Sequence, residues 1–269
     1  MHSTASDGAL APADVVAAAH AAQLTVICLT DHDSVSGVAE ARAAGAAVGL
    51  VVAAGTELSA HQGARELHLL GLHLSRLDVM ERHLSGFRSA RDARGVSIVS
   101  QLNAIGVPVT IEGVRAQAAG GALGRPHVAR ALIAGGWVGS VREAFDRYLA
   151  AGRPGYADKA RLEIGTAITI IHDAGGIAVL AHPGPEGRRE TIEPLVAMGL
   201  DGLEVKHPGH SADDSARLAA LTDFFGLVPS GGSDWHGIVN GPRQIGGMMV
   251  PWEWYERQVA RAESQRVAA

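Results

Sequence analysis

The segment Thr25-Val26-Ile27-Cys28-Leu29-Thr30-Asp31-His32-Asp33 decides the fold, because a short apolar run stops abruptly at two carboxylates flanking an imidazole. Such a run is what a strand buried on both faces of a parallel sheet shows. Upstream, Pro12 can open a helix at its first turn, running through Val15, Val16 and Ala19. Downstream, a helix is predicted near Ser34–Val48, then strands at Leu50–Ala54 and near Leu67–Leu72. The same rhythm returns late, with strands at Ile177–Ala181, Gly202–Val205 and Leu227–Pro229 and helices near Leu162–Ala174, Thr191–Met198 and Ala212–Phe225. This alternation implies an α/β architecture of parallel strands and helical crossovers, open or barrel-shaped. From Leu77 to Pro154 the apolar spacing is helical, broken at Gly106-Val107-Pro108, Gly120-Gly121 and Gly135-Gly136. Residues 77–154 therefore read as an α-helical insertion over one end of a body formed by 1–76 and 155–269, and a terminal helix is expected after Met249.

The 269 residues are 47% hydrophobic but only 4% aromatic, so a sizeable core must be filled by Ala, Val, Leu and Ile. No window approaches the roughly 18 apolar residues of a membrane span, and the start at Met1-His2-Ser3-Thr4 has no secretory pattern. Cys28 is the only cysteine, which excludes an internal disulfide and a thiolate zinc site and suggests the cytoplasm. The formal charge is −5, and only Lys159 and Lys206 are lysines among 23 basic residues. Long nucleic acids demand a basic face, so a short or small substrate fits better, with arginines available for phosphate groups.

Five of the 13 histidines keep significant company: His2 before Ser6-Asp7-Gly8, His32 between Asp31 and Asp33, His68 after Glu66-Leu67, His182 before Pro183, and His236 after Asp234-Trp235. Glu57 closes Gly55-Thr56-Glu57. In α/β folds the residues beyond the carboxyl ends of strands converge on one face. Asp7, Glu57 and Asp234 are thus expected to meet the five imidazoles. Each feature alone has a structural alternative: a hydrogen-bonded histidine, a turn at Asp7-Gly8, a helix cap at Asp31 or Asp33. Their recurrence at successive strand ends favours metal binding. Mixed His and carboxylate donors suit Zn²⁺, Mn²⁺ or Fe²⁺, and eight such groups exceed the needs of one ion.

In the same order, His2-Ser3-Thr4-Ala5-Ser6-Asp7-Gly8, Thr30-Asp31-His32-Asp33, Gly55-Thr56-Glu57, Leu67-His68-Leu69-Leu70-Gly71, Ala181-His182-Pro183 and Gly232-Ser233-Asp234-Trp235-His236 resemble the motifs of the polymerase-and-histidinol-phosphatase (PHP) family. Gly124-Arg125-Pro126-His127 and Glu204-Val205-Lys206-His207-Pro208 resemble its branch of nucleoside 3′,5′-bisphosphate phosphatases and 5′-to-3′ exoribonucleases on short RNA. The resemblance runs nearly end to end and implies a distorted seven-stranded (β/α) barrel with a trinuclear centre. Carried over, His2, Glu57 and Asp234 serve a first ion. Glu57 bridges to a second held by His68 and His182, and Asp7, His32 and His236 hold a third. Glu57, Asp234 and His236 then fall at the reacting centre, while Arg125, His127, Arg153 and His207 match positions facing the substrate phosphate. Arg125 and Pro126 also have structural readings, pairing with an acid and opening a helix.

One departure stands out. The family's first motif is His-x-His after an acidic residue and the first strand, and here Met1 holds its middle position. The first strand and first His are therefore expected to be missing, and the natural protein is expected to carry a further segment before Met1 that supplies them. The resemblance implies two or three divalent ions (Mn²⁺, Zn²⁺, Fe²⁺ or Mg²⁺) and hydrolysis of a phosphate ester of a small nucleotide. It would follow that a hydroxide activated by the ions attacks in line, with Arg125 orienting the phosphate. His127 and a metal-bound water are the candidates for general acid. A histidinol-phosphate-type phosphatase and a non-catalytic metal-binding module are alternatives. A C–N hydrolase fits less well, because neither lysine lies in a motif.

Overall fold

The structure, a computed structural model, describes residues 1–118, 124–157, 161–238 and 243–268. Gly120, Gly121 and Lys159 lie outside them. The chain forms two compact units, Met1–Arg82 with Leu162–Ala269 and His83–Arg161.

The first unit is built on one six-stranded sheet whose strands follow chain order: β1 (Val26–Leu29), β2 (Val51–Gln62), β3 (Arg65–Leu72), β4 (Ile177–Leu180), β5 (Gly202–Lys206) and β6 (Val228–Gly231). β1–β2, β4–β5 and β5–β6 pair parallel. β3 pairs antiparallel with both β2 and β4, which corrects the all-parallel expectation. The reason is the connection. Only Gly63 and Ala64 separate β2 from β3, and a parallel crossover needs a dozen residues or more. β2 also runs eight residues past the expected strand end at Ala54, so Glu57 lies within it.

Helices α1 (Pro12–Ala21), α2 (Val38–Val48), α7 (Ile164–Asp173), α8 (Arg189–Ala197), α9 (Ala212–Phe225) and α10 (Trp252–Ala268) belong to this unit. α1 packs Val15, Val16 and Ala19 against Ile27 and Leu29 of β1, with Leu50, Val52 and Trp235 completing the cluster. α7 buries Ile164, Ala167, Ile168 and Ile171, a spacing that sets one stripe on the core. α9 starts at a capping box, with Asp214 N donating to Ser211 Oγ (3.1 Å) and Ser211 N to Asp214 Oδ2 (3.1 Å), and it stops at Gly226 in the left-handed conformation. Asp201, just before β5, ties three elements together. Its carboxylate accepts from His172 Nε2 (2.7 Å), Ala178 N (2.9 Å) and Gln265 Nε2 (2.8 Å).

The second unit is helical: the larger part of α3 (Leu77–Ala104), α4 (Ile111–Ala118), α5 (Arg125–Ala134) and α6 (Val141–Ala144), which continues into a π-helical turn (Phe145–Leu149). Ile98, Leu102, Val114, Val128, Leu132 and Leu149 form its core. The expected breaks at Gly106 and Gly135 fall just beyond α3 and α5. Among the described residues, no helix is long and apolar enough to cross a membrane.

Candidate metal centre

Strand register brings the histidines and acids together. β1 is level with β2, and His32, three residues past β1, bridges to Glu57. Across the hairpin Ser59 faces His68, so Glu57 and His68 are diagonal neighbours on one face. Because β3 runs against the other strands, its early residues lie where parallel strands end. There His68 O accepts from Ala181 N (3.0 Å), beside His182. Asp234 and His236 follow β6. His182 (φ +30°) and Asp234 (φ +47°) both take left-handed backbone, which costs a non-glycine residue about 1 kcal/mol or more. Such strain is held where the surroundings over-determine it, and here Glu204 Oε2 accepts from His182 N at 2.7 Å.

The loop from His2 to Gly8 closes the cluster. His2 N donates to Trp235 O (2.9 Å) and Ala9 N to His236 O (2.8 Å). Buried Asp31 accepts from Ser3 N (2.6 Å), Ser3 Oγ (2.8 Å) and Ser6 Oγ (2.7 Å). Gly8 is the close approach that makes this loop possible, since a Cβ there would stand 2.4 Å from His2 O.

Three carboxylates organise the imidazoles. Glu57 Oε1 lies 2.7 Å from His68 Nδ1 and 3.1 Å from His182 Nε2, and Glu57 Oε2 lies 3.2 Å from His2 Nε2. Asp234 Oδ1 lies 3.0 Å from His2 Nε2, while its Oδ2 faces His207 Nε2 at 3.4 Å and Arg243 Nη1 at 2.5 Å. Asp7 is the outer acid, 3.5 Å from His236 Nε2, 3.8 Å from His2 Nδ1 and 4.0 Å from His32 Nε2. The His2 ring stacks on His236 and His32 at 4.2 and 4.5 Å.

Among the described residues, three donor groups follow from this packing: His2, Asp7, His32 and His236; His32, Glu57 and His68; and His2, Glu57 and Asp234. His182 joins through its Glu57 oxygen rather than as a member of one of these groups. Burial alone would raise the Glu57 and Asp234 carboxyls, but hydrogen bonds from His182, His2 and His68 to Glu57, and from His2 and His207 to Asp234, hold both well below the usual carboxylate range. Burial opposes charge on His2 and His182 too, yet Asp234 and Glu57 raise His2, and Glu57 raises His182. Burial lowers His32.

These residues fit divalent ions on two observations. His2 Nδ1 is buried without a hydrogen-bond partner among the described residues, an orphaned polar atom of the kind a cation satisfies once the ring is neutral. His236 Nδ1 donates to Asp234 O (2.8 Å), which fixes the tautomer whose Nε2 lone pair faces Asp7.

His207 lies against this cluster: its Nδ1 accepts from Gly209 N (3.0 Å), so its Nε2 carries the hydrogen that points at Asp234. Arg125, His127 and Arg153 belong to the helical unit. Arg125 donates to Leu149 O (3.3 Å), lies over the Phe145 and Tyr156 rings, and has no carboxylate partner among the described residues. His127 Nδ1 accepts from Gly124 N (3.0 Å), Pro126 sits in the first turn of α5, and Arg153 is exposed. Sequence reading missed Arg243, Asp31 as an anchor of the His2 loop, and Glu204 under His182. The acid at position 31 was weighed only as a cap, and Arg243 follows a Gly-Pro pair that reads as a turn.

The sheet and the loops beside it gather five imidazoles and three carboxylates that could hold metal ions, and comparison with known proteins assigns the chain to the metal-dependent phosphoesterases, hydrolases of ester bonds. Residues 1–97 match the PHP domain family model. The chain is 37% identical over 241 residues to a 5′-3′ exoribonuclease of Haemophilus influenzae, covering 87% of this chain and 88% of that protein. It is 36% identical over 252 residues to a 3′,5′-nucleoside bisphosphate phosphatase of Chromobacterium violaceum, covering 91% and 88%. A crystal structure of a Bifidobacterium adolescentis protein assigned as a metal-dependent phosphoesterase superposes with a TM-score of 0.72 at 30% identity, covering 97% of this chain and 94% of that one. The chain belongs to the PHP family.

Proposed function

We propose that this protein hydrolyses a phosphate ester of a small nucleotide, either a nucleoside 3′,5′-bisphosphate or a short oligoribonucleotide, with two or three divalent ions (Mn²⁺, Zn²⁺, Fe²⁺ or Mg²⁺). The observation that carries this reading is Glu57, whose two oxygens meet imidazoles from three separate segments, His2, His68 and His182. All eight proposed metal ligands come from the first unit, which is the proposed catalytic body. His2, Glu57 and Asp234 would hold one ion, Glu57 with His68 and His182 a second, and Asp7, His32 and His236 a third. When bound, such ions neutralise charge on the transferring phosphoryl group and lower the pKa of water toward neutrality. The chain's own task is to hold and orient: Glu204 fixes the backbone under His182, Asp31 fixes the loop carrying His2 and Asp7, and His207 steadies Asp234. From the Gly124-Arg125-Pro126-His127 motif, Arg125 is the proposed grip on a substrate phosphate, with His127 and Arg153 in support. The nucleotide preference rests on the two relatives named above.

The test is turnover with added Mn²⁺ on a nucleoside 3′,5′-bisphosphate, a short 5′-phosphorylated oligoribonucleotide, histidinol phosphate and p-nitrophenyl phosphate. The highest kcat/KM is expected on one of the first two. Preference for histidinol phosphate, or inactivity on all four, would overturn the proposal.

A further inference from the structure

Arg243 meets the cluster at Asp234 and His236. Asp234 uses one oxygen for His2 and the other for Arg243 and His207. Arg243 Nη1 also donates to Asp234 O at 3.2 Å and lies 3.4 Å from His236 Nδ1. Among the described residues, no other Arg or Lys pairs with Asp7, Glu57 or Asp234, so Arg243 brings the local positive charge to a centre of three acids. Its contacts among the described residues all use Nη1. Nη2 and Nε have no partner among the described residues, and the side chain is 40% exposed. A guanidinium held by one arm, with its remaining N–H donors unpaired among the described residues, offers the planar fork that takes two phosphate oxygens at once. Dedication to Asp234 alone does not use that fork, and the ammonium of a lysine would serve such a point contact as well.

We propose that Arg243 is a substrate-binding residue that grips the scissile phosphate through Nη2 and Nε while Nη1 stays on Asp234. Its position explains the assignment: it touches Asp234 and His236, both proposed ion ligands, so a phosphate on its free edge is held at the reacting centre rather than at a second, selective phosphate. The inference rests on the phosphoesterase reading above, with the added claim that this contact does not distinguish one phosphate ester from another.

The experiment compares the wild-type chain with Arg243→Gln and Arg243→Lys. Inorganic phosphate binding to the Mn²⁺-loaded proteins is measured by calorimetry, metal content by mass spectrometry, and kcat/KM on p-nitrophenyl phosphate and a nucleoside 3′,5′-bisphosphate. Arg243→Gln is expected to weaken phosphate binding about 10–100-fold and to lower kcat/KM by a similar factor on both substrates, with metal content unchanged. Arg243→Lys should recover only part of the loss, because it restores charge without the fork. Unchanged phosphate affinity in Arg243→Gln overturns the proposal, and so does a loss of bound metal that accounts for the whole defect, since Arg243 would then serve only to position Asp234. A loss confined to the bisphosphate also overturns it. Calorimetry reads phosphate binding without turnover, so a chain that binds phosphate through Arg243 but hydrolyses no ester would refute the proposed function and leave this contact standing.

Discussion

His68 stands diagonally across the β2–β3 hairpin from Glu57, with its Nδ1 2.7 Å from the same oxygen that meets His182 Nε2 at 3.1 Å. One carboxylate oxygen therefore couples ligands from β3 and from the turn after β4. Glu57→Gln keeps the shape but removes the negative charge. It should cost about one bound metal equivalent and lower kcat/KM by about 10²-fold or more. Metal analysis beside steady-state kinetics checks this, and full metal content with normal turnover would remove Glu57 from the centre.

Gly8→Ala should act through the fold before it acts on chemistry. The added methyl would meet His2 O at 2.4 Å, so the loop carrying His2 and Asp7 must shift. Overpacking of this kind costs about 1–3 kcal/mol. A lower thermal midpoint together with weakened metal binding is the expected pair of results; an unchanged midpoint would show that the loop yields freely.

The Asp201 staple predicts an acid-labile contribution to stability. Burial would raise this carboxyl, but His172, Ala178 N and Gln265 outweigh it and hold the folded value below the usual one. A depressed carboxylate stabilises the fold above its unfolded pKa, about 3.9, and that contribution disappears as pH falls through the lower folded value. Urea midpoints measured between about pH 6 and 2 should fall more steeply for the wild type than for Asp201→Asn. Other carboxylates titrate in both proteins and cancel in the difference. Parallel curves would refute the staple's role.

Arg125→Ala should lower kcat/KM by about 10–100-fold while leaving metal content intact. A larger loss on a nucleoside 3′,5′-bisphosphate than on p-nitrophenyl phosphate would assign Arg125 to a second phosphate, and equal losses to the scissile one. Without any loss, its packing on Phe145 and Tyr156 becomes its whole role.

Much of the body was legible because buried strands write themselves as apolar runs. Thr25–Thr30 contains β1, and Ile177–Ala181 and Gly202–Val205 locate β4 and β5 to within one residue. α9 spans the limits expected of it, Ala212–Phe225, and the structure shows them set by the Ser211 cap and Gly226. The β2–β3 hairpin was not. Glu57, Ser59 and His61 interrupt the apolar pattern with polar residues, and Gly63-Ala64 lacks the Asn-Gly or Asp-Gly signal that marks a tight turn. For the centre, histidines beside acids or proline were visible as a set. The supports were harder to see, because Asp31 and Glu204 act through backbone and hydroxyl contacts that spacing does not encode. Arg243 meets Asp234 from nine residues further along the chain, a spacing that no strand or helix periodicity ties together.

The reversal of β3 gives the protein a tip it can lengthen. The Gly63-Ala64 turn lies at the ligand end of the sheet, yet no proposed ligand belongs to it, and the pairing of Gln62 with Arg65 closes the ladder beneath it. Doubling a loop's length adds only about 0.6 kcal/mol of closure entropy. Residues grafted between Gly63 and Ala64 would extend the hairpin without disturbing the register that aligns Glu57 with His68. The hairpin can grow there while the proposed ligands keep their places.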